Sequence, residues 1–122
     1  MNASARAIAL AGAMLALSAV ILAAMGSHLF DITGLQGTWQ IASNIHLFNS
    51  AALLGLAALL VKPGPPSLRW GAWLIVVGTV IFCGSIYLHI ITGRMMSGVT
   101  PSGGLLMMMG WLLVIVAFLR KL

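Results

Sequence analysis

The polar residues at the head of the second apolar segment are the best candidates for chemistry in this sequence. The stretch SNIHLFNS, residues 43–50, is followed by AALLGLAALLV, which has no polar side chain. At about 100° per helical residue, Ser43, His46, Asn49 and Ser50 share one helix face. An imidazole on such a face can bind a metal or haem or transfer a proton, and hydroxyls and amides can pair across helices.

Four long apolar segments must position these side chains. The chain has 122 residues, of which 61% are hydrophobic and 6% charged, whereas soluble domains carry about 25% charged residues. A segment of roughly 20 apolar residues spans a bilayer, and only a helix satisfies its own backbone there. The sequence therefore predicts an all-α integral membrane protein with a single domain, residues 1–122. Its four transmembrane helices are expected at about 7–30, 41–61, 70–91 and 101–119.

The basic residues predict how this bundle is oriented. Both termini of a four-helix bundle lie on the same side of the membrane. The basic residues expected on that side are Arg6, Lys62, Arg69, Arg120 and Lys121. Only Arg94 is expected on the other side, so the positive-inside rule predicts that both termini are cytoplasmic (N-in and C-in), in a bacterial inner membrane. The cations flank apolar runs and do not cluster among aromatic residues, which argues for contact with membrane lipids and against nucleic acid.

Polar residues of three helices are expected to gather in the outer half of this bundle. The predicted outer-leaflet cluster comprises His28, Ser43, His46, Asn49, Ser50, Ser85, Tyr87 and His89. Three interpretations remain open: hydrogen bonding between helices, a metal or haem site, and the polar path of a transporter. No carboxylate or thiolate completes a ligand set at that depth, and no polar route crosses the membrane. Hydrogen bonding is therefore favoured, and no cofactor or metal is expected.

Two charged residues suggest a link between the outer loops. Asp31 is the only acidic residue of the chain, and Arg94 is the only cation expected outside. We expect a salt bridge between them that closes the outer end of the bundle. The alternative is that both are solvated near lipid headgroups.

Small residues recur at intervals of seven in several segments, which predicts close helix packing in a left-handed bundle. The predicted packing residues are Gly12, Ala19, Gly26, Gly55, Gly71, Gly78, Gly103, Gly104 and Gly110. An alternative for some of them is an interface with another protein.

Catalysis finds little support in the sequence, and no catalytic residue is predicted. Asp31 has no second carboxylate for paired acid–base chemistry. The glycine-containing stretches lack the lysine of a phosphate-binding loop. The run LLMMMGW, residues 105–111, is interpreted as flexible apolar packing in preference to a thioether metal site.

Three motifs resemble one known family. They are GSH at 26–28, GTVIFCGSIYLHIITG at 78–93 and TPSGGLLMMMGW at 100–111. Together they resemble the domain-of-unknown-function 423 family, small four-helix membrane proteins that include bacterial YgdD and eukaryotic transmembrane protein 256. The residues that match the family pattern are Gly26, His28, Gly78, Thr79, Phe82, Cys83, Ser85, Tyr87, Pro101, Gly103, Gly104, Gly110 and Trp111. The resemblance covers nearly the whole chain and implies fold and location, but no activity.

One position departs from the family pattern. The second helix of the family usually reads His-Ser/Thr-Leu-Ala, and the corresponding segment here is Asn49-Ser50-Ala51-Ala52. His46 lies one turn earlier and is a conjectural substitute for that histidine. An asparagine at position 49 argues against proton or metal chemistry there and fits a hydrogen-bonding role.

The sequence thus predicts a non-enzymatic membrane protein, an accessory or scaffolding subunit of a larger membrane protein complex. The alternative is a small transporter, or a ligand- or haem-binding protein that uses the outer-leaflet cluster. A transporter requires a hydrated cavity bordered by His28, His46, Asn49 and Tyr87. A subunit requires these groups to be closed against each other, with a glycine-bearing face turned towards a partner.

Overall fold

The computed structural model describes residues 2–28, 34–60, 62, 65–94 and 98–120, with the side chains of residues 27 and 28 excepted. Their regular structure consists of four α-helices: α1 (Ala3–His28), α2 (Gln36–Leu59), α3 (Pro66–Thr92) and α4 (Val99–Leu119). Each helix is long and apolar enough to cross a membrane. The predicted four-helix transmembrane architecture is confirmed.

Each helix begins earlier than the hydropathy pattern predicts. The clearest case is α2, which starts at Gln36 and not near residue 41. Hydropathy marks the part of a helix inside hydrocarbon, whereas a helix continues into the interface, where glutamine and threonine side chains reach water. The start of α3 follows from proline, because Pro65 is extended (φ −63°, ψ 141°) and Pro66 occupies the first turn, where no amide N–H is needed.

The helices pack in the order of the chain. The contact between α3 and α4 is the most extensive, and the contact between α1 and α2 is the next. These two helix pairs are joined by a smaller contact between α2 and α3, while α1 and α3 touch only slightly. Asn2 fixes the start of α1: its Oδ1 accepts a bond from the Ala5 amide at 2.7 Å. Its Nδ2 also donates to the Leu60 carbonyl at 2.6 Å, which ties the beginning of α1 to the end of α2.

Two apolar clusters fill the bundle, one towards each end. The cluster at the end that holds the start of α1 includes Ala5, Ile8, Leu53, Leu56, Leu68, Ile75, Val114 and Ala117. The cluster at the opposite end contains Trp39, Ala42, Cys83, Ile86 and Tyr87. Polar side chains lie between them.

Glycines bring the backbones of α3 and α4 into direct contact. A Cβ atom on Gly71 would lie 2.8 Å from the Gly110 carbonyl oxygen, and one on Gly110 would lie 2.7 Å from that of Gly71. A Cβ atom on Gly78 would lie 2.6 Å from the Met107 amide nitrogen, and one on Gly103 would collide with the backbone of Phe82. Such contacts are too short for any side chain, so the interface requires glycine at these positions.

The predicted packing residues of α1 lie against α2. A Cβ atom on Gly12 would lie 3.1 Å from the Leu53 Cβ, and Ala19 is fully buried. The indole of Trp39 fills the space beside Gly26.

Gly104 and Gly55 differ from the other predicted packing glycines. A Cβ atom on Gly104 would make only an ordinary contact, 3.5 Å from the ring of Phe82. Gly55 is exposed, and no atom lies within 4 Å of where its Cβ would be. The expectation that Gly55 packs within the bundle is not met, because it lies on the outward face of α2.

Candidate functional site

One face of α2 is both polar and buried. Ser43, His46, Asn49 and Ser50 are all buried between the helices. Asn44 lies off this face and is exposed. The interior face of α2 is therefore the candidate site, and its partners lie on the other three helices.

Asn49 joins α2 to α3 and α4. Its Nδ2 donates to Thr79 Oγ1 at 2.8 Å and to Met107 Sδ at 3.0 Å. Its Oδ1 accepts a bond from Trp111 Nε1 at 3.3 Å. Because the indole N–H only donates and the thioether only accepts, these neighbours fix which way the amide points. Both N–H groups and the carbonyl oxygen of Asn49 have partners.

His46 joins α2 to α1 and α3. Its Nε2 lies 3.1 Å from Ser18 Oγ, and its Nδ1 lies 3.1 Å from the Tyr87 hydroxyl. Ser18 Oγ also lies 2.9 Å from the Leu15 carbonyl. When Ser18 donates to that carbonyl, its oxygen accepts from the Nε2–H of a neutral ring, and Nδ1 then accepts the Tyr87 O–H. We expect this tautomer.

Further side chains connect neighbouring helices. Cys83 Sγ donates to the Ala42 carbonyl at 3.3 Å, between α3 and α2. Ser85 Oγ lies 2.9 Å from the Phe82 carbonyl and also bonds to the Thr100 hydroxyl at the start of α4, a pair in which either hydroxyl can donate. Ser50 bonds back to the carbonyl of His46 in its own helix.

Ser43 is the exception to this pairing. Its hydroxyl is buried and has no hydrogen-bond partner in the described part of the chain, although it lies near Tyr87. Tyr87 itself packs on Trp39, with ring centroids 4.9 Å apart.

The remaining predicted polar residues lie near the helix ends. His89 Nδ1 donates to the Arg94 carbonyl at 2.7 Å and so closes the last turn of α3. The side chain of His28 and the whole of Asp31 lie outside the described residues, and so does the expected pairing of Asp31 with Arg94.

The partners of the cluster reach the middle of the bundle. Asn49 lies near the middle of α2, Thr79 lies near the middle of α3, and Met107 and Trp111 flank the middle of α4. The polar groups thus extend from the middle of the bundle towards one end. Their place in an outer leaflet stays a prediction.

Four partners of the central amide and imidazole were missing from the predicted cluster: Ser18, Thr79, Met107 and Trp111. Two of them, Thr79 and Trp111, were named only by resemblance. Ser18 carried a usable signal, because it is a lone hydroxyl in the apolar run between Gly12 and Gly26. Met107 carried none, and Trp111 carried none beyond the resemblance, since methionine and tryptophan in an apolar helix indicate packing.

The chemistry available to this network is hydrogen bonding. Among the residues that the structure describes, no three His, Cys or acidic side chains lie close enough to hold a metal ion. The groups at its centre are an amide, an imidazole, hydroxyls, an indole and a thioether. Such groups fix helix positions through neutral, directional contacts.

Comparison with known proteins agrees with the motifs. Residues 22–104 match the model of the family described as "Protein of unknown function (DUF423)". The chain belongs to the DUF423 family. This confirms the resemblance carried by the motifs in α1, α3 and α4.

Bacterial relatives of this DUF423 chain match over most of their length. It is 33% identical to a UPF0382 membrane protein of Staphylococcus haemolyticus, over 87% of this chain and 89% of the relative. It is 31% identical to the UPF0382 membrane protein YwdK of Bacillus subtilis, covering 91% and 94%. It is 31% identical to the UPF0382 inner membrane protein YgdD of Escherichia coli, covering 83% and 80%. No solved structure matches the chain significantly. The relatives and the four apolar helices make this DUF423 chain an integral membrane protein.

Proposed function

We propose that this protein is a non-enzymatic accessory or scaffolding subunit of a larger assembly in the bacterial inner membrane. Its helices form a rigid bundle that a partner contacts from the side. Both termini face the cytoplasm in this proposal.

One observation carries the proposal. Asn49 and His46 are the interior side chains best able to bind a ligand or transfer a proton. Their hydrogen-bonding atoms all face side chains of the same protein. A group that binds a substrate or moves a proton must have an atom free for it. Closed pairing across four helices is what a structural role requires.

The outer surface supports the same interpretation. Large apolar side chains are exposed on every helix, including Leu17 (65%), Phe48 (64%), Val80 (53%) and Met108 (63%). These faces suit lipid chains or the helices of a partner, and most of the described residues lie in the four candidate membrane spans.

The test is to isolate the chain with its neighbours. The tagged protein, expressed from its own promoter, is extracted in a mild detergent, separated on a native gel and analysed by mass spectrometry. We expect a band much larger than a few copies of this chain, with other membrane proteins at constant stoichiometry. Mixing with isotope-labelled lysate before extraction identifies proteins that join only after lysis.

Migration of the chain alone, or only with copies of itself, would overturn the subunit proposal. The matched control for the native-gel experiment is the Asn49→Leu variant, which weakens the hydrogen bonding between the helices and leaves the outer surface unchanged. A true subunit should be recovered in the complex in smaller amounts in this variant, with unchanged stoichiometry.

One observation favours the alternative, a small transporter or ligand-binding protein. The buried hydroxyl of Ser43 beside Tyr87 has no partner in the described part of the chain. Reaction of a Ser43→Cys variant with a small water-borne thiol reagent in intact membranes would support a hydrated path. The parent chain supplies the control, because its own Cys83 is buried. Protection of the new thiol would count against this alternative.

A further inference from the structure

A polar side chain of α2 faces outwards from the bundle. Asn44 is exposed, on the side of α2 opposite the buried face that holds Asn49 and Leu53. Its amide makes no hydrogen bond within the described part of the chain. No contact among the described residues explains this asparagine.

The hydropathy pattern places the amide inside the hydrocarbon. The apolar part of α2 begins near residue 41, and the residues from Gln36 to Gln40 extend into the interface. Asn44 follows residue 41 by three residues, so its Cα lies about 5 Å below the hydrocarbon surface. An unpaired amide facing lipid chains at that depth is strongly unfavourable, and polar side chains of membrane helices normally face protein.

The surface around Asn44 allows a second helix to approach closely. Ala51 and Gly55 lie within about 20° of Asn44 around the helix axis, and both are exposed. No atom lies within 4 Å of where a Gly55 Cβ would be. This face, defined by Asn44, Ala51 and Gly55, is called the outer α2 face below.

We propose that the outer α2 face binds the same face of a second copy of this chain, with the two Asn44 amides paired. Two copies inserted with one topology are related by a two-fold axis along the membrane normal, so each residue meets its own counterpart at equal depth. An amide is self-complementary, since each can donate an N–H to the carbonyl oxygen of the other. A different partner would need its own polar group at that depth, whereas a second copy supplies one necessarily.

This dimer does not depend on the proposed subunit function. A larger assembly can contain the dimer as its building block, and a chain with no other partner forms it equally. The experiment below uses purified protein, so its outcome is separate from that of the native gel.

The first test measures association in vesicles of phosphatidylethanolamine and phosphatidylglycerol. Full-length chains carrying donor or acceptor fluorophores at the C-terminus are reconstituted over a range of protein-to-lipid ratios. We expect energy transfer that depends on this ratio, and an apparent dissociation constant about tenfold higher for Asn44→Leu. Asn44→Gln, which keeps an amide, should retain most of the association. Thermal unfolding of Asn44→Leu, in monomeric form, should be unchanged because the side chain makes no hydrogen bond to any described residue.

The second test locates the interface. Ala51→Cys is oxidised in vesicles and compared with Leu112→Cys, which places a thiol on the exposed face of α4. A disulfide-linked dimer of Ala51→Cys, absent for Leu112→Cys, is the expected result. Three outcomes would overturn the proposal. They are a parent chain that stays monomeric, association that Asn44→Leu does not change, and equal cross-linking of the two cysteine variants. In native membranes, cross-linking of Ala51→Cys to a different protein and not to itself would also overturn it.

Discussion

Asn49 shows how single side chains determine the interior of this protein. Its neighbours Trp111 and Met107 lie on α4 and have opposite hydrogen-bonding character, one a donor and the other an acceptor. The amide satisfies both at once, while Thr79 takes the remaining N–H. A carboxylate could not donate to the thioether, and an aliphatic side chain could not serve any of the three.

The change Asn49→Leu should therefore destabilise the bundle. The indole N–H of Trp111 loses its acceptor in an apolar interior, and we expect a loss of about 1–3 kcal/mol in the free energy of unfolding. Thermal unfolding in a mild detergent, followed by the fraction that remains monodisperse, measures this loss.

The matched control is Gln40→Leu, which removes an exposed amide from the same helix. This control should unfold at the temperature of the parent chain. Equal stability of Asn49→Leu and the parent chain would show that the amide contacts do not hold the helices.

The imidazole of His46 should carry its proton on Nε2. A protonated Nε2 donates to the Ser18 oxygen and leaves the Ser18 proton for the Leu15 carbonyl, which is the pattern that we expect. NMR of protein labelled with ¹⁵N-histidine, with the His46 signals assigned from a His46→Gln variant, identifies the protonated nitrogen. In Tyr87→Phe the Nδ1 signal should shift most, because that nitrogen loses its donor. A signal from protonated Nδ1 in the parent chain would contradict this bonding pattern.

The sequence predicts the faces of helices better than their partners. The period of 3.6 residues correctly separates Asn44 from His46 and Asn49, because that angle depends on helix geometry alone. The partners Ser18, Met107 and Trp111 depend on how helices rotate and slide against each other. Nothing within a single segment determines those two quantities.

Among the helix pairs, α3 and α4 have the closest backbone contact. The glycine spacing of seven in each helix places Gly71 against Gly110, and Gly78 against the backbone around Met107. Packing at this distance supplies the van der Waals contact that drives helix association where lipid removes the hydrophobic effect.

The change Gly78→Ala should separate α3 from α4. The added methyl group would lie 2.8 Å from the Gly103 carbonyl oxygen and 2.6 Å from the Met107 amide nitrogen. Neither backbone atom can move without the helix, and we expect a loss of about 1–3 kcal/mol in stability. Unfolding by increasing fractions of denaturing detergent measures it.

The same helix offers the control Gly84→Ala. No atom lies within 4 Å of a Cβ at Gly84, so this change should be neutral or should stabilise the helix by up to about 1 kcal/mol. If both variants lost the same stability, the loss would come from the backbone of α3 and not from its contact with α4.

The existence of the four helices was predictable, because their length and composition follow from the thickness of the bilayer. Their ends were less predictable, since Gln36 and Thr38 are polar enough for a loop and yet continue α2. The packing order, with α2 linking two close pairs, could not be read from segments that are all equally apolar on their outer faces.

For the whole molecule, charge predicts the orientation in the membrane. The described cations Arg6, Lys62, Arg69 and Arg120 lie at the end of the bundle that holds the start of α1, and Arg94 lies at the other end. The positive-inside rule then predicts that both termini are cytoplasmic.

Fusions to the C-terminus measure this orientation. A green fluorescent protein should fluoresce there, and alkaline phosphatase should be inactive. A fusion placed after Gly93 should show the reverse. An active phosphatase at the C-terminus would contradict the predicted orientation.

The order in which the helices are made gives the network a consequence for biosynthesis. Among the four spans α2 is the least apolar, and the partners of its Asn49 amide are all on α3 and α4. When α2 leaves the translocon, only α1 is present. The Asn49 amide therefore lacks its hydrogen-bond partners until α3 and α4 are synthesised and inserted. A chain interrupted after α2 would display this unpaired group to membrane proteases, whereas the completed chain hides it. The same bonds that hold the bundle together thus mark whether its synthesis is finished.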